Sequence, residues 1–234
     1  MIGVLIPAHD EAERIAACLA SVQRAAAHPA LQREQVVVVV ALDSCSDRTA
    51  WHCARAHVQS IALQVHCVGA ARAAAAACLI HQGASWLAST DADSLVPMDW
   101  LAAQRGGDHD AYCGVVDLHC ANARDRRLRR RFVQEERWGD DHGRVHGANL
   151  GVSSAAYLRA GGFAAVTCHE DVGLIERLRL QGARIVWPGE PRVLTSGRLR
   201  GRAIGGFADH LRTLHAAALG HVPARNGALD IVPS

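Results

Sequence analysis

Lysine is absent: all 25 basic residues of the 234-residue chain are arginine. Beside so much alanine, this reads as coding bias rather than as the mark of a partner. Aromatics are scarce, at 4%, and the formal net charge is only +2. The sequence pI near 8.2 stays below the value of about 9 that marks a general nucleic-acid binder, so no nucleic-acid partner is expected. Long hydrophobic runs are missing too. The longest uncharged apolar stretch falls short of the roughly 20 residues that cross a bilayer, so no transmembrane segment is expected. The start, Met1 to Pro7, lacks a basic leader and reads as a strand, not a signal peptide. The eight cysteines, at 18, 45, 53, 67, 78, 113, 120 and 168, form no C-x-x-C pair and no zinc ladder. Most lie in apolar stretches, where a free thiol acts as a small hydrophobe, and they imply a reducing, cytoplasmic compartment.

What is present is a chain half apolar and 21% charged, long enough for a real core in one large domain or two small ones. Disordered and disulfide-scaffold classes are excluded. The first half alternates strand and helix. Ile2 to Ile6 is a buried strand ended by Pro7, and Glu11 to Ala27 an amphipathic helix with Asp10 as N-cap. Val36 to Leu42 is a β-branched run covered on both faces. Asp47 caps a helix to Ala56, Ile61 to Val68 is a third strand, and Ala70 to His81 a third helix. Trp86 to Thr90 is a fourth strand, ending in Asp91-Ala92-Asp93. This order predicts an α/β fold, a mostly parallel central sheet flanked by helices.

The second half is less regular. Strands are expected at Ala111 to Cys120, Gly147 to Val152, Arg184 to Trp187 and Arg192 to Thr195. Helices are expected at Arg124 to Trp138, Glu170 to Gln181 and Ala203 to Leu219. A change of character near Cys120 marks a seam.

Ligands of open parallel sheets bind beyond the carboxyl ends of the strands. Here those ends carry Pro7-Ala8-His9-Asp10-Glu11, Asp43-Ser44-Cys45-Ser46-Asp47, Gly69-Ala70-Ala71-Arg72 and Asp91-Ala92-Asp93. A single acid there could be a helix cap; four such ends together suggest a nucleotide-sized site. A dinucleotide fold is excluded, since the first turn has no G-x-G-x-x-G, and no P-loop occurs. A metal is therefore the expected counter-charge. Residues i and i+2 of an extended strand point the same way. Asp91 and Asp93 would then face one Mg²⁺ or Mn²⁺, hard ions completed by waters and substrate phosphates.

Thr195 to Arg202 places Arg198, Arg200 and Arg202 at alternate positions beside two glycines. Arginine forks there could clamp a diphosphate, or the stretch could be a solvated basic loop. Arg124 to Arg131 has six arginines in eight residues. It reads as a solvated helix, with an anionic acceptor or the membrane surface as the alternative.

Together these motifs resemble the family-2 glycosyltransferases of the GT-A fold, of the soluble, non-processive bacterial kind. Pro7-Ala-His-Asp10-Glu11 is similar to that family's P-x-x-N-E, and Asp43-Ser-Cys-Ser-Asp47-Arg-Thr49 to its D-x-S-x-D-x-T. Asp91-Ala92-Asp93 is similar to its D-x-D, Gly147-Ala148-Asn149-Leu-Gly151 to its acceptor-side strand, and Gly161-Gly162-Phe163 with Glu170-Asp171 to its G-G-F and E-D. The resemblance implies a single 1–234 domain, with 1–120 binding the nucleotide-sugar and 121–234 the acceptor. It implies a metal-dependent glycosyltransferase moving one sugar from a nucleotide-diphosphate sugar to a hydroxyl of a small or lipid-linked acceptor.

It also implies roles. Pro7, Ala8, His9, Glu11 and Asp43 would line the nucleotide, with Asp43 accepting from a base N–H. Arg72 would approach the nucleotide or diphosphate. Asp93 would ligate Mn²⁺ or Mg²⁺ directly, with Asp91 on metal-bound water or ribose and Ala92 between them. Gly147, Ala148, Asn149 and Glu170 would lie on the acceptor side. Asp171 would be the general base of an inverting transfer, with His169 a weaker rival. The helix start also favours acids at 170 and 171 for dipole reasons alone.

Two features depart from the family. Asp10 stands where Asn is usual, and the Q-x-x-R-W of processive synthases is missing, which favours single transfers. Nucleotidyl transfer is a rival reaction, although the first strand lacks the Gly-rich loop that it needs. A degenerate scaffold is the non-enzymatic rival. The choice of sugar and acceptor is expected to lie in the loops 106–110, 139–145 and 164–168. The expected location is the cytoplasm, with peripheral contact at the inner membrane surface left open.

Overall fold

The computed structural model describes residues 1–32, 34–120, 123–135, 139–199, 201 and 205–218. Five successive valines, Val36–Val40, prefer the pleated strand, where branched side chains pack on both faces. They build β2 (Val36–Asp43), which pairs in parallel with β1 (Ile2–Ala8) and β3 (Gln59–Leu63). β4 (Trp86–Ser89) runs parallel on the other edge of β1. There one strand runs the other way: β7 (Leu150–Ser153) is antiparallel to β4 and to β5 (Ala111–Cys113). β8 (Ile185–Val186) closes the order β3-β2-β1-β4-β7-β5-β8. β6 (Val116–His119) and β9 (Val193–Ser196) form a separate parallel pair.

The eight helices of the described residues are α1 (Ile15–Ala26), α2 (Thr49–Arg55), α3 (Val68–His81), α4 (Trp100–Arg105), α5 (Ala123–Glu135), α6 (Ser154–Arg159), α7 (Glu170–Leu180) and α8 (Phe207–Ala218). They cover both faces of the sheet, because strand alternation sends side chains both ways. Ile2, Val4 and Ile6 face one core with Ile15, Leu19 and Trp100. Leu5 faces the other, with Ala75, Leu79 and Leu174. The alanines of α3 let it lie close to β1, where a Cβ on Gly3 would sit 2.9 Å from the Leu79 Cβ. The α/β class and its mostly parallel sheet are as the alternation predicts. Among the described residues no helix is long and apolar enough to cross a membrane.

Several boundaries differ from expectation. The Ala111 to Cys120 strand breaks into β5 and β6, which belong to different sheets. At the break, Gly114 makes room for Asn149, whose Nδ2 would lie 2.3 Å from a Cβ there. Asp10 is no helix cap, since α1 starts at Ile15. β3 ends at Leu63, two residues before a loop that turns onto Asp43. Gly147–Asn149 is a 3-10 turn, and only Leu150–Ser153 is strand. Helices α4 and α6 lie where no element was expected. The expected ends of α5 and α8 extend into residues outside those described.

Candidate active site

The carboxyl ends of β1, β2 and β4 gather most of the candidate residues. Asp43 closes β2 and is buried. Its Oδ1 accepts from the backbone N–H groups of Val65 and His66 at 2.8 and 3.0 Å, and its Oδ2 from that of Cys67 at 2.8 Å. Burial would raise its pKa, but these N–H groups outweigh it and hold the carboxyl below its ordinary value. Asp43 thus shapes the 65–67 loop first, and Oδ2 has a lone pair left for a ligand N–H. His9 Nδ1 bonds the Asp43 carbonyl at 2.7 Å. The His9 ring meets His66 edge to face, 5.8 Å between centroids. His66 lies in a loop where the apolar pattern of 61–68 predicts strand, since β3 ends at Leu63.

Asp10 has φ 51°, a left-handed conformation that Asn and Asp tolerate best. Its Oδ1 accepts from the N–H groups of Ser46 and Asp47 at 2.7 and 3.1 Å. The Ser46 N–H is the main reason its carboxyl lies below the usual range. The side chain therefore ties the β1–α1 loop to the β2–α2 loop. An Asn amide oxygen would accept the same bonds, which explains the exchange. Pro7 and Ala8 belong to β1 itself, and the Ala8 carbonyl accepts the Cys45 thiol at 3.3 Å.

Asp91-Ala92-Asp93 sits in a turn beyond β4, closed by the Ser94 N–H on the Asp91 carbonyl at 3.1 Å. It is not extended, so the i, i+2 argument for its direction does not hold. The turn instead sends its two acids to different arginines. Asp91 Oδ1 accepts from Arg72 Nη2 at 2.5 Å. Asp93 lies 3.3 Å from Arg198 Nη2, while Arg198 Nη1 donates to Glu11 at 2.6 Å. Burial raises the Asp93 carboxyl well above its ordinary value, with Arg198 pulling the other way. A desolvated carboxylate of this kind, beside a second one that is one-third exposed, calls for more positive charge. Asp91 Oδ2 and Asp93 Oδ1 are hard oxygens with no partner among the described residues, and they fit a divalent cation that keeps waters and phosphate ligands. Among the described residues no group of three or more His, Cys, Asp or Glu forms a complete metal cage.

Arg72, expected to approach the nucleotide or diphosphate, is buried at the start of α3. It is 3% exposed, and its Nη1 donates to Glu170, also buried, at 2.9 Å. Burial opposes its charge, but Asp91, Glu170 and Asp171 together hold it above the usual arginine range. Gly147 presses on the guanidinium, since a Cβ there would lie 2.3 Å from Nη1. The same glycine donates its N–H to Asp171 Oδ2 at 2.6 Å, and Val172 N–H bonds Oδ1 at 2.8 Å. One arginine thus connects the acidic turn after β4 with the start of α7.

Ala148 and Asn149 are buried. The Asn149 side chain bonds the Val115 and Pro191 carbonyls and accepts from Trp100 Nε1, which makes it a post between strands. His169 is exposed, with φ 61°. Gly69 lies in the first turn of α3, where the Val166 carbonyl accepts its N–H at 3.1 Å. Arg200 and Arg202 lie outside the described residues.

The model of glycosyl transferase family 2 matches residues 3–158. No curated protein sequence matches the chain. Among solved structures, a mannosyltransferase from Pyrobaculum calidifontis in complex with GDP-Man and Mn²⁺ is similar, at 20% identity and a TM-score of 0.64. The alignment covers 94% of this chain and 62% of that one, so the chain spans less than two thirds of the relative's length. S. aureus TarS in complex with UDP-GlcNAc follows at 11% identity and 0.63, covering 96% and 68%. Glucosyl-3-phosphoglycerate synthase from Mycobacterium tuberculosis, with Mn²⁺, UDP and its glucosylated product, aligns at 16% identity and 0.59, covering 98% and 83%. At these identities the likeness establishes a common fold.

Proposed function

Because the chain belongs to glycosyl transferase family 2, we propose that it moves a single sugar from a nucleotide-diphosphate sugar to an acceptor hydroxyl, with inversion. The observation that carries this reading is the set of acids Glu11, Asp91 and Asp93, paired with Arg72, Arg198 and, at 3.8 Å, Arg14, the first of which also grips the start of α7. Donor and acceptor chemistry then meet around Arg72. Residues 1–120 supply most of the nucleotide side and 121–234 the acceptor side. The eight free thiols support a reducing, cytoplasmic setting.

In this reading the 65–67 loop, shaped by Asp43, and His9 hold the base. Asp93 and Asp91 would hold Mn²⁺ or Mg²⁺, which supplies positive charge to the departing diphosphate when bound. Asp171, oriented by two backbone N–H groups, accepts the proton of the acceptor hydroxyl as its oxygen bonds the anomeric carbon. The bond from that carbon to the diphosphate oxygen breaks, and its electron pair leaves with the nucleoside diphosphate. Arg198, exchanging Glu11 and Asp93 for phosphate oxygens, meets the growing negative charge. Arg72 pairs with Glu170, opposing the burial that raises its carboxyl above the ordinary value, and holds it in place, which fixes the first turn of α7 and with it Asp171.

The test is calorimetric titration of UDP, GDP and dTDP, first with Mn²⁺ and then with EDTA, on the wild type and Asp93→Asn. One nucleotide is expected to bind with metal, and to bind less with EDTA or in the variant. No binding of any nucleotide by the folded protein would overturn the transferase reading in favour of a scaffold.

A further inference from the structure

The geometry points to a second anion site, a pocket between α5 and the β6–β9 pair that takes a phosphoryl group, whether a phosphate monoester or a diphosphate. The helix is fixed on two sides. Leu128 and Phe132, one turn apart, are buried, and the Phe132 ring meets Phe207 edge to face at 5.7 Å. On the strand side Arg129 grips Asp117 of β6 with two prongs, Nε to Oδ1 at 2.8 Å and Nη2 to Oδ2. This sets the helix rotation and brings Arg126, Arg127, Arg129 and Arg130 around one open cavity of about 700 Å³, with Leu194 contributing apolar surface.

The charge in that cavity is unbalanced. Asp117 is the one acid lining it among the described residues, and its oxygens are taken by Arg129 and the Leu118 N–H. Arg126, Arg127 and Arg130 are exposed and have no acidic partner among the described residues. Arg72, Arg184 and Arg198, by contrast, are all ion-paired. Arg126 and Arg130 stand four apart on one helix face, where like charges repel. A bound anion relieves that repulsion. Planar forks lining one cavity, three of them without an acidic partner among the described residues, match the oxygens of a phosphoryl group, and the volume suits a small ligand rather than a polymer.

The pocket lies apart from the candidate active site but is joined to it by β9 and the two residues that follow it. Leu194 in the pocket and Arg198 in the cleft are four residues apart, about 13 Å along an extended chain. An acceptor could be anchored there by its anionic end. That use rests on the transferase reading; the binding of the anion does not.

The experiment is calorimetric titration of inorganic pyrophosphate in EDTA, without nucleotide, on the wild type, on Arg126→Gln/Arg130→Gln and on Arg198→Gln. The paired substitution is expected to weaken binding about tenfold or more, as the loss of charge-assisted hydrogen bonds does. Arg198→Gln should retain the site. Circular dichroism and melting without anion check that the variants fold, and Arg126→Lys/Arg130→Lys, with charge but no fork, should bind with intermediate affinity. Glycerol phosphate binding, without retention on phosphatidylcholine–phosphatidylglycerol vesicles, assigns the group to a soluble molecule. Retention on those vesicles but not on phosphatidylcholine alone, lost in the paired variant, assigns it to a lipid headgroup. Absence of binding to all three, or pyrophosphate binding that only Arg198→Gln removes, overturns the site.

Discussion

Arg198 reaches Asp93 at 3.3 Å across more than a hundred residues of chain, so an arginine occupies a position beside the carboxylate proposed to hold the metal. This relationship predicts opposite changes in two measurements. Arg198→Gln removes an internal competitor, and Mn²⁺ alone should bind the variant several-fold more tightly. Turnover should fall about a hundredfold, because the departing diphosphate loses a pre-placed donor. Weaker Mn²⁺ binding with unchanged turnover would show that Arg198 belongs to the resting fold and not to the reaction.

Arg72 serves two carboxylates from a buried position. Removing it leaves the buried Glu170 without a counter-ion, so Arg72→Met should destabilise the protein by about 3–5 kcal/mol. Arg72→Lys should recover only part of that, since an ammonium lacks the planar fork that spans both acids. Urea denaturation measures this. An Arg72→Lys variant as stable as the wild type would mean that only one of the two pairs matters.

Asp171 predicts a change in rate without a change in donor binding. Asp171→Asn keeps an oxygen for the Gly147 N–H but cannot take a proton. Turnover should drop by a factor of about 10²–10⁴, while nucleotide affinity by calorimetry stays as it was. If turnover survived, the base would lie elsewhere, with His169 the next residue to replace.

Gly147 is fixed by contact rather than by conformation. A methyl group there would meet Arg72 at 2.3 Å, so Gly147→Ala should cost about 1–3 kcal/mol, as overpacking does. It should also lower turnover, because the same backbone N–H holds Asp171. A variant with wild-type stability and rate would show that the arginine moves aside freely.

A pH dependence of stability follows from three histidines. Burial lowers the pKa values of His142 and His210 and takes His146 down to about 3. All three are therefore neutral in the folded protein at values where the unfolded chain, near 6.5, takes up protons. Their stabilisation is complete above that value and declines as pH falls below it. Asp93, raised to about 6 by burial, works the other way between its unfolded value and 6. The His146→Phe comparison isolates the histidine contribution: between pH 7.5 and 5 the wild-type melting temperature should fall more steeply than that of the variant. Parallel curves would rule out His146 as a source of the slope.

The sheet and its strand ends were legible because they rest on local signals. A run of valines and an alanine-rich helix state their structure within a few residues. The acids at 11, 43, 91 and 93 could be found because parallel strands put their ligands at one edge. Arg72 was visible as a charged residue near that edge, but its burial came from partners that follow it far along the chain, Glu170 above all. The same limit hid the work of Asp43, whose side chain organises a loop that the β-branched pattern presented as strand. Gly114 carried no signal by itself, since its necessity is set by the amide of Asn149. Long-range contacts, not local propensity, decided each of these cases.

The antiparallel insertion of β7 beside β4 has a consequence for how such a catalyst can diversify. The acidic turn leaves from one end of β4, and Gly147 enters β7 from the adjacent end, so two neighbouring strands about 4.8 Å apart fix the interval between the two chemical centres. The sheet register sets that interval, with Ser89 of β4 opposite Leu150 of β7. The loops at 106–110, 139–145 and 164–168 lie outside these two strands but are tied to the fold, His142 bonding the Cys113 carbonyl and the Val166 carbonyl accepting the Gly69 N–H. On the proposed reading, exchange of their exposed residues would change the acceptor while the strand pair keeps the spacing between Asp91 and Gly147.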